Sequence, residues 1–453
     1  MHVAIIGSGP AGLAAAATIR ADCPSAAITI FEKGRLARAR ICPVDRGQIC
    51  DGCKGKCNVI SGFGGSIHWG DAIKLSRFPS GRRLAALLGD NYPALEQRAM
   101  LLFGVNGACF SDSNLRTGME GLRPYPVAEL SEAEVQLWLL ARHAAAIPYL
   151  RTRSRVLNVE QRVNGGFTVV SSAPSRDRRT EEFDAVIVAT GRAGVSDCAS
   201  WVSRIGVDRR AGTPSIGLRF ELPVELLGPL YRIHRDYKIS LLRGGLKVKS
   251  FCFSSHLENG GRLKYCHYQD QFGSPAIFLD GHMNGLDSDH ASPVGNFALL
   301  VQTPQAEADA SIFRYLSRFG GRPIWQPLVE LISSSIGAKG SDQIRPSVCD
   351  IVRGDIRELF ASSHLDVILA AFKEISETIA ALTGLTDADV IAQTTVIAPA
   401  YEFFWDEIDV SPCFESNVKN LFFAGDCAGV AQGNLQAVIS GIVVGDALAN
   451  RII

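Results

Sequence analysis

His2-Val3-Ala4-Ile5-Ile6-Gly7-Ser8-Gly9-Pro10-Ala11-Gly12 opens the chain and decides how the rest is read. The short apolar run 2–6, bounded by glycine, has the character of a strand buried on both faces of a parallel sheet. An alanine-rich segment over 13–21 reads as a helix, and a second apolar run over 27–31 ends at Glu32. Together they form one βαβ unit. The G-x-G-x-x-G spacing by itself is weak, but here it lies between strand and helix. Glu32 follows Gly12 by twenty positions, where an acidic group meets a ribose. Each glycine has a task. Gly7 permits the tight turn, Gly9 lets the backbone approach a pyrophosphate, and Gly12 lets helix and strand pack closely. Pro10 and Ala11 lie in the first helical turn, whose free N–H groups and positive dipole end suit phosphate. Lys33 follows the acidic residue and is counted with the nucleotide site.

Working outward, two further motifs choose between nucleotides. Val188-Ala189-Thr190-Gly191 closes a buried run at 185–189. Phe422-Phe423-Ala424-Gly425-Asp426 is similar to the flavoprotein element whose aspartate binds the ribityl chain. Gln432-Gly433-Asn434 then starts a last helix, expected over 435–452, with its N-terminus facing the flavin pyrimidine edge. The order of the motifs along the chain is that of FAD proteins. A second G-x-G-x-x-G is absent from 192–330, so NAD(P)H, if used, has no Rossmann unit of its own.

The fold expected is α/β: a discontinuous Rossmann-type FAD-binding domain with an inserted α+β substrate domain. The FAD-binding part is assigned to 1–205 and 390–453, and the substrate domain to 206–389. With 453 residues the chain is too long for one core. Residues 81–150 read as mainly helical, with 132–146 the clearest helix. Residues 151–183 alternate and contain the turn Asn164-Gly165-Gly166. Strands dominate 212–300, and helices 305–385.

Lysine plus arginine equals aspartate plus glutamate at 46 each, which gives no global argument for nucleic acid or an anionic membrane. The stretch from Arg232 to Lys249 is locally basic, read either as a solvated face or as a patch for an acidic partner. No run suggests a membrane span and no signal segment is visible, so a cytoplasmic location is expected.

The chain resembles the FAD-dependent dehydrogenases of the NAD(FAD)-utilising type. The resemblance is carried by Gly62-Phe63-Gly64-Gly65-Ser66, Gly70-Asp71-Ala72-Ile73-Lys74-Leu75, Ala189-Thr190-Gly191-Arg192, Ile216-Gly217-Leu218-Arg219-Phe220-Glu221, Ser250-Phe251-Cys252-Phe253 and the stretch 280–301. It covers most of the chain. Gly64 and Gly65 join the expected cofactor residues on this ground. The sequence departs from the family pattern at Gly70, preceded by His68-Trp69, at 253–261, and at 425–434. These departures fall where flavin and substrate should meet.

Twelve cysteines is many for a reducing compartment, and four of them, Cys42, Cys50, Cys53 and Cys57, lie in the loop 41–57 with spacing C-x7-C-x2-C-x3-C. Three readings stand: an iron–sulfur cluster, a zinc site, or free or disulfide-forming thiols near a flavin. His282, Cys252 and His68 are the candidate catalytic residues, and His256 and His267 lie in similar segments. Any could move a proton at the flavin, and each taken singly could equally be structural.

The expected activity is that of an FAD-dependent oxidoreductase, a dehydrogenase, reductase or oxidase passing hydride between FAD and a small organic substrate. The alternatives are a redox-neutral or RNA-modifying flavoprotein, and an electron-transfer flavoprotein passing electrons through the cysteine cluster to a partner protein.

Overall fold

The structure is a computed structural model that describes residues 1–110, 121–172, 177–268, 275–284, 291–333, 345–402 and 406–452. Part of the family-like stretch, 285–290, lies outside the described residues.

The expected βαβ unit is present. His2–Ile6, helix Pro10–Asp22 and strand Ala27–Glu32 are its parts. These strands belong to a five-stranded sheet ordered Leu421–Phe423, Ala185–Val188, His2–Ile6, Ala27–Glu32, Leu150–Thr152, and every pairing is parallel. Helices cover a parallel sheet on both faces, which is why Val3, Ala4, Ile5, Ile187 and Phe422 are wholly buried. The two chain ends meet here. Helix Pro10–Asp22 packs against the C-terminal helix Asn434–Ile452. Small residues allow the close approach: a Cβ on Gly441 would overlap the carbonyl of Ala11, and one on Gly445 would overlap Thr18. That C-terminal helix is long and apolar enough to cross a membrane, yet its apolar face is spent on this contact and is mostly buried. A three-stranded antiparallel sheet, Arg155–Gln161, Phe167–Ser172 and Arg178–Phe183, projects from the unit and contains the expected turn at Gly165 and Gly166. The helix expected at 132–146 is Glu132–Ala146, opened by a capping box of Ser131 and Glu134.

The second unit is built on a seven-stranded sheet. Its order is Ser240–Arg243, Leu246–Ser254, Val294–Gln302, Ser215–Pro223, Thr395–Glu402, Ile324–Pro327, Val352–Arg353. Helix Ser362–Thr383 covers one face, where Phe372 stacks on Phe220 and Phe297 at centroid distances of 4.4 and 6.3 Å. The hairpin Gly261–Tyr268 and Ala276–Met283 packs against the strands from the other side.

Two expectations of the layout change. Strand Thr395–Glu402 is a central strand of the second sheet, so the chain returns to the first unit after 402 and not at 390. The loop 41–57 does not stay with the first unit either: Cys42 and Cys57 are buried in the same apolar core as Ile216, Phe220 and Phe278. Both shifts have one cause. A strand and a loop go to the unit whose sheet edge or apolar face they can cover, whatever their place in the sequence.

Candidate active site

The glycine fingerprint forms the turn expected of it. Gly7 has φ +108°, and a Cβ there would overlap the carbonyl of Ala189. A Cβ on Gly12 would overlap the carbonyl of Gly7. Glu32 is buried, and both its oxygens accept backbone N–H bonds around the crossover. Oε2 accepts from Ser8 N at 3.1 Å and Ser8 Oγ at 2.7 Å, and Oε1 accepts from Gly34 N at 2.7 Å. The loop 62–66 comes down on the fingerprint. Gly64 N donates to Ser8 O at 2.9 Å, and a Cβ on Gly9 would lie 3.6 Å from the Cα of Gly65. Gly64 and Gly65 take φ of +91° and +58°, which only glycine adopts at no cost. The same loop reaches the last helix, for Ser66 Oγ donates to Asn434 Oδ1 at 2.8 Å. Buried Arg40 ties the loop together through five carbonyls, among them Phe63, Gly65 and Ile67.

Thr190 and Gly191 end strand Ala185–Val188, and nothing lies within 4 Å of a Cβ built on Gly191, φ +57°. Gly425, φ +76°, brings Asp426 to the start of helix Pro10–Asp22, its own Cβ position 3.0 Å from that of Ala11. Asp426 has no hydrogen-bond donor for its carboxylate among the described residues. Burial pushes its pKa up to about 6, opposed by the charge of Arg192. Gln432 and Gly433 lead into the last helix beside Asn434. Lys33 departs from expectation: its ammonium is held by Asp197 at 2.7 Å and the carbonyl of Ala193 at 3.0 Å, bracing helix Val195–Ile205.

The hairpin supplies a second group of polar residues. Cross-strand pairing sets Arg262 opposite His282, Lys264 opposite Asp280 and Cys266 opposite Phe278, so one face carries four charged or polar side chains in a patch. Buried Asp71 receives three of its partners from this face. His282 Nδ1 lies 2.8 Å from Asp71 Oδ2, Lys264 Nζ lies 2.9 Å from Oδ1, and Arg262 bonds Oδ1 as well. His68 Nδ1 also approaches, 3.2 Å from Oδ2. These cations and imidazoles hold the Asp71 carboxyl well below the usual carboxylate range despite its burial. Two of the three candidate catalytic residues, His68 and His282, thus meet at one carboxylate, their rings 6.5 Å apart.

Cys252 belongs to the neighbouring hub. Asp280 bonds Arg192 at 2.5 Å and pairs with Arg219 at 3.8 Å, and Arg219 is held by the Leu279 carbonyl and by Asn296. Cys252 sits among these charges at an irregularity in its strand, with φ +48°. Burial raises its thiol to about 11, so it is protonated at neutral pH and is a weak candidate for base or nucleophile. His256 packs on Tyr231, and the His267 ring lies against Gly52 of the cysteine loop.

The iron–sulfur or zinc centre expected at Cys42, Cys50, Cys53 and Cys57 is not supported. Among the described residues no three His, Cys, Asp or Glu side chains are arranged to hold a metal. Cys42 is buried in the second core and its thiol is pushed up to about 12, while Cys57 Sγ faces the carbonyl of Tyr265 at 3.7 Å. All twelve cysteines are free thiols. Spacing placed four sulfurs within reach of one ion, but apolar packing of two of them won. The basic stretch 232–249 is also not a bare patch. Arg243 pairs with Glu374, Lys249 with Glu402, Arg235 with Glu129 at 3.9 Å, and Lys238 lies over the Tyr125 ring.

Asp71, Lys264, Arg262, Asp280, Arg192 and Arg219 were not singled out as site residues from sequence. One signal was present: Arg262-Leu263-Lys264-Tyr265-Cys266 alternates polar and apolar, as does a strand with one polar face. What that face would meet was not legible.

No family model matches the chain, and no curated protein matches it. Among solved structures it is similar to CmlS, a flavin-dependent halogenase, at 14% identity and TM-score 0.44, over 100% of this chain and 58% of that one. It is similar to HpxO of Klebsiella pneumoniae, complexed with FAD and uric acid, at 15% identity and TM-score 0.41, over 100% and 82%. CtdE, in complex with FAD and a substrate, is similar at 12% identity and TM-score 0.41, over 99% and 80%. The functional reading rests on the site's own residues.

Proposed function

We propose that the chain is an FAD-dependent oxidoreductase acting on a small organic molecule. The observation that carries this is Asp426, a partly buried carboxylate without a donor among the described residues, set where the N-termini of the first and last helices converge. A carboxylate there is stabilised by a ligand hydroxyl, and a ribityl chain supplies several. Glu32, with Gly34 and Ser8 as its present donors, takes the adenosine ribose. Gly7, Gly9, Pro10, Ala11 and Gly12 take the pyrophosphate on backbone N–H groups and the helix dipole. Gly64, Gly65 and Ser66 cover it, Thr190 and Gly191 leave it room, and Gln432, Gly433 and Asn434 face the pyrimidine edge. FAD, when bound, accepts or donates hydride. The protein's own part is to shield that exchange with the second unit and to move the accompanying proton, for which the Asp71 and Asp280 hubs line one wall.

The test is the absorption spectrum of the purified protein, followed by flavin release on denaturation. Flavin bands, lost in Asp426→Ala and Glu32→Ala, support the reading. A protein that neither carries FAD nor takes it up on addition overturns it.

A further inference from the structure

The two histidines at Asp71 are not equivalent, and the difference can be read from what each ring nitrogen faces. His68 Nε2 lies 3.0 Å from the backbone carbonyl of Arg40. A carbonyl only accepts, so Nε2 of His68 carries a hydrogen. Its Nδ1 lies 3.2 Å from the Lys264 ammonium, which only donates. His68 is therefore complete as the neutral Nε2–H form. A second proton would set a cation beside Lys264 and Arg40 in a buried place, and burial together with these charges lowers its pKa to about 4. The 3.2 Å approach of His68 Nδ1 to Asp71 is then the approach of two acceptors that share one ammonium.

Among the described residues Asp71 Oδ2 keeps one true donor, His282 Nδ1 at 2.8 Å. An ionised carboxylate accepts, so Nδ1 of His282 carries the hydrogen and Nε2 is left with its lone pair. The two rings hold opposite tautomers around one carboxylate. Their exposure differs in the same sense: the His282 side chain is 16% exposed and that of His68 is 3%. His282 is also faced by Arg262 across the hairpin and by Asp280 two residues away on its own strand.

We propose that Asp71 is a positioning residue that fixes His282 in the Nδ1–H tautomer and so makes His282 Nε2 the proton-accepting atom of the site, while His68 is locked neutral as part of the frame. This rests on the oxidoreductase reading above. The substrate class that uses such a base loses hydride from carbon and a proton from the attached oxygen or nitrogen. A bound flavin would supply the two-electron hydride acceptor; with it, the substrate C–H would give up its electron pair as hydride, the O–H or N–H proton would go to Nε2, and the carbon–heteroatom double bond would form, a two-electron oxidation of the substrate. In the reverse direction the imidazolium returns the proton.

The test is a two-bond proton–nitrogen correlation spectrum of the purified protein, labelled with nitrogen-15 at histidine, near pH 8. His282→Gln and His68→Gln assign the two rings. The expected spectrum shows His282 as Nδ1–H and His68 as Nε2–H, and Asp71→Asn removes the Nδ1–H pattern of His282 while His68 keeps its own. A His282 ring found as Nε2–H in the unaltered protein overturns the inference, and that measurement stands even where Asp71→Asn does not fold. Flavin content is read from the absorbance of the same samples. Lost flavin with the expected tautomers overturns the oxidoreductase reading alone, and bound flavin with the wrong tautomer overturns this inference alone.

Discussion

The guanidinium of Arg192 and the carboxylate of Asp280, 2.5 Å apart, join the end of a strand of the parallel sheet to the hairpin of the second unit. Arg192 follows the Ala189-Thr190-Gly191 turn, so the pair ties the second unit to the first beside Asp426. Replacing Arg192 with Met leaves Asp280 with the Arg219 guanidinium at 3.8 Å and the Cys266 thiol. The expected cost is about 2 kcal/mol, less than for a fully buried pair because Arg219 remains and the Arg192 side chain is 23% exposed. Urea unfolding of Arg192→Met, Asp280→Asn and the double variant measures it. Additive effects of the two changes would show that the pair contributes no coupling.

Asp426 sets stability against binding. Its pKa is raised from 3.8 to about 6, so the flavin-free protein loses stability as pH rises through about 6 and the carboxylate is forced to ionise. Asp426→Asn should therefore stabilise the flavin-free protein above pH 7 by on the order of 1 kcal/mol and raise its melting temperature. It should have little effect near pH 4. The same change should weaken FAD retention about tenfold, because an amide accepts a ribityl hydrogen bond less well than a carboxylate. A variant no more stable at pH 8 than the parent would contradict the origin assigned to the shift.

His68 predicts acid sensitivity beginning well above the carboxylate range. Its folded pKa of about 4 lies below the ordinary value of 6.5, so its contribution is complete above about 6.5 and is lost as pH falls towards about 4. The span corresponds to at most about 3 kcal/mol. His234 and His256 shift in the same direction, so His68→Gln should flatten the stability profile between pH 6.5 and 4 in part. Asp71 acts lower down: its depressed pKa keeps its stabilisation in place until pH drops below about 4. Chemical denaturation at a series of pH values separates the two windows.

Gly441 tests the packing that brings the chain ends together. A Cβ there meets the backbone carbonyl of Ala11, which cannot rotate away. Gly441→Val should destabilise the protein by about 3 kcal/mol or more, and by displacing the first helical turn should also reduce FAD uptake. Gly47 is a control, since nothing lies within 4 Å of a Cβ built on it, although its φ of +71° makes Ala there modestly unfavourable. Thermal melts of both variants decide the point.

The sequence by itself determined the first unit. Gly7, Gly9, Gly12 and Glu32 act over twenty-odd adjacent residues, and local sterics and hydrogen bonds are enough to dictate a strand–turn–helix. The motifs at Thr190 and Asp426 could be aligned with it because each ends a strand of the same parallel sheet. Tertiary structure alone decided the rest. Asp71 meets Arg262, Lys264 and His282 across some two hundred residues, and no spacing rule announces a contact of that range. The cysteine loop shows the converse. Its spacing suited a metal, but two of its sulfurs, those of Cys42 and Cys57, pack into an apolar core instead. Short-range periodicity records which face of an element is polar or apolar. What that face is pressed against depends on the packing of the whole chain.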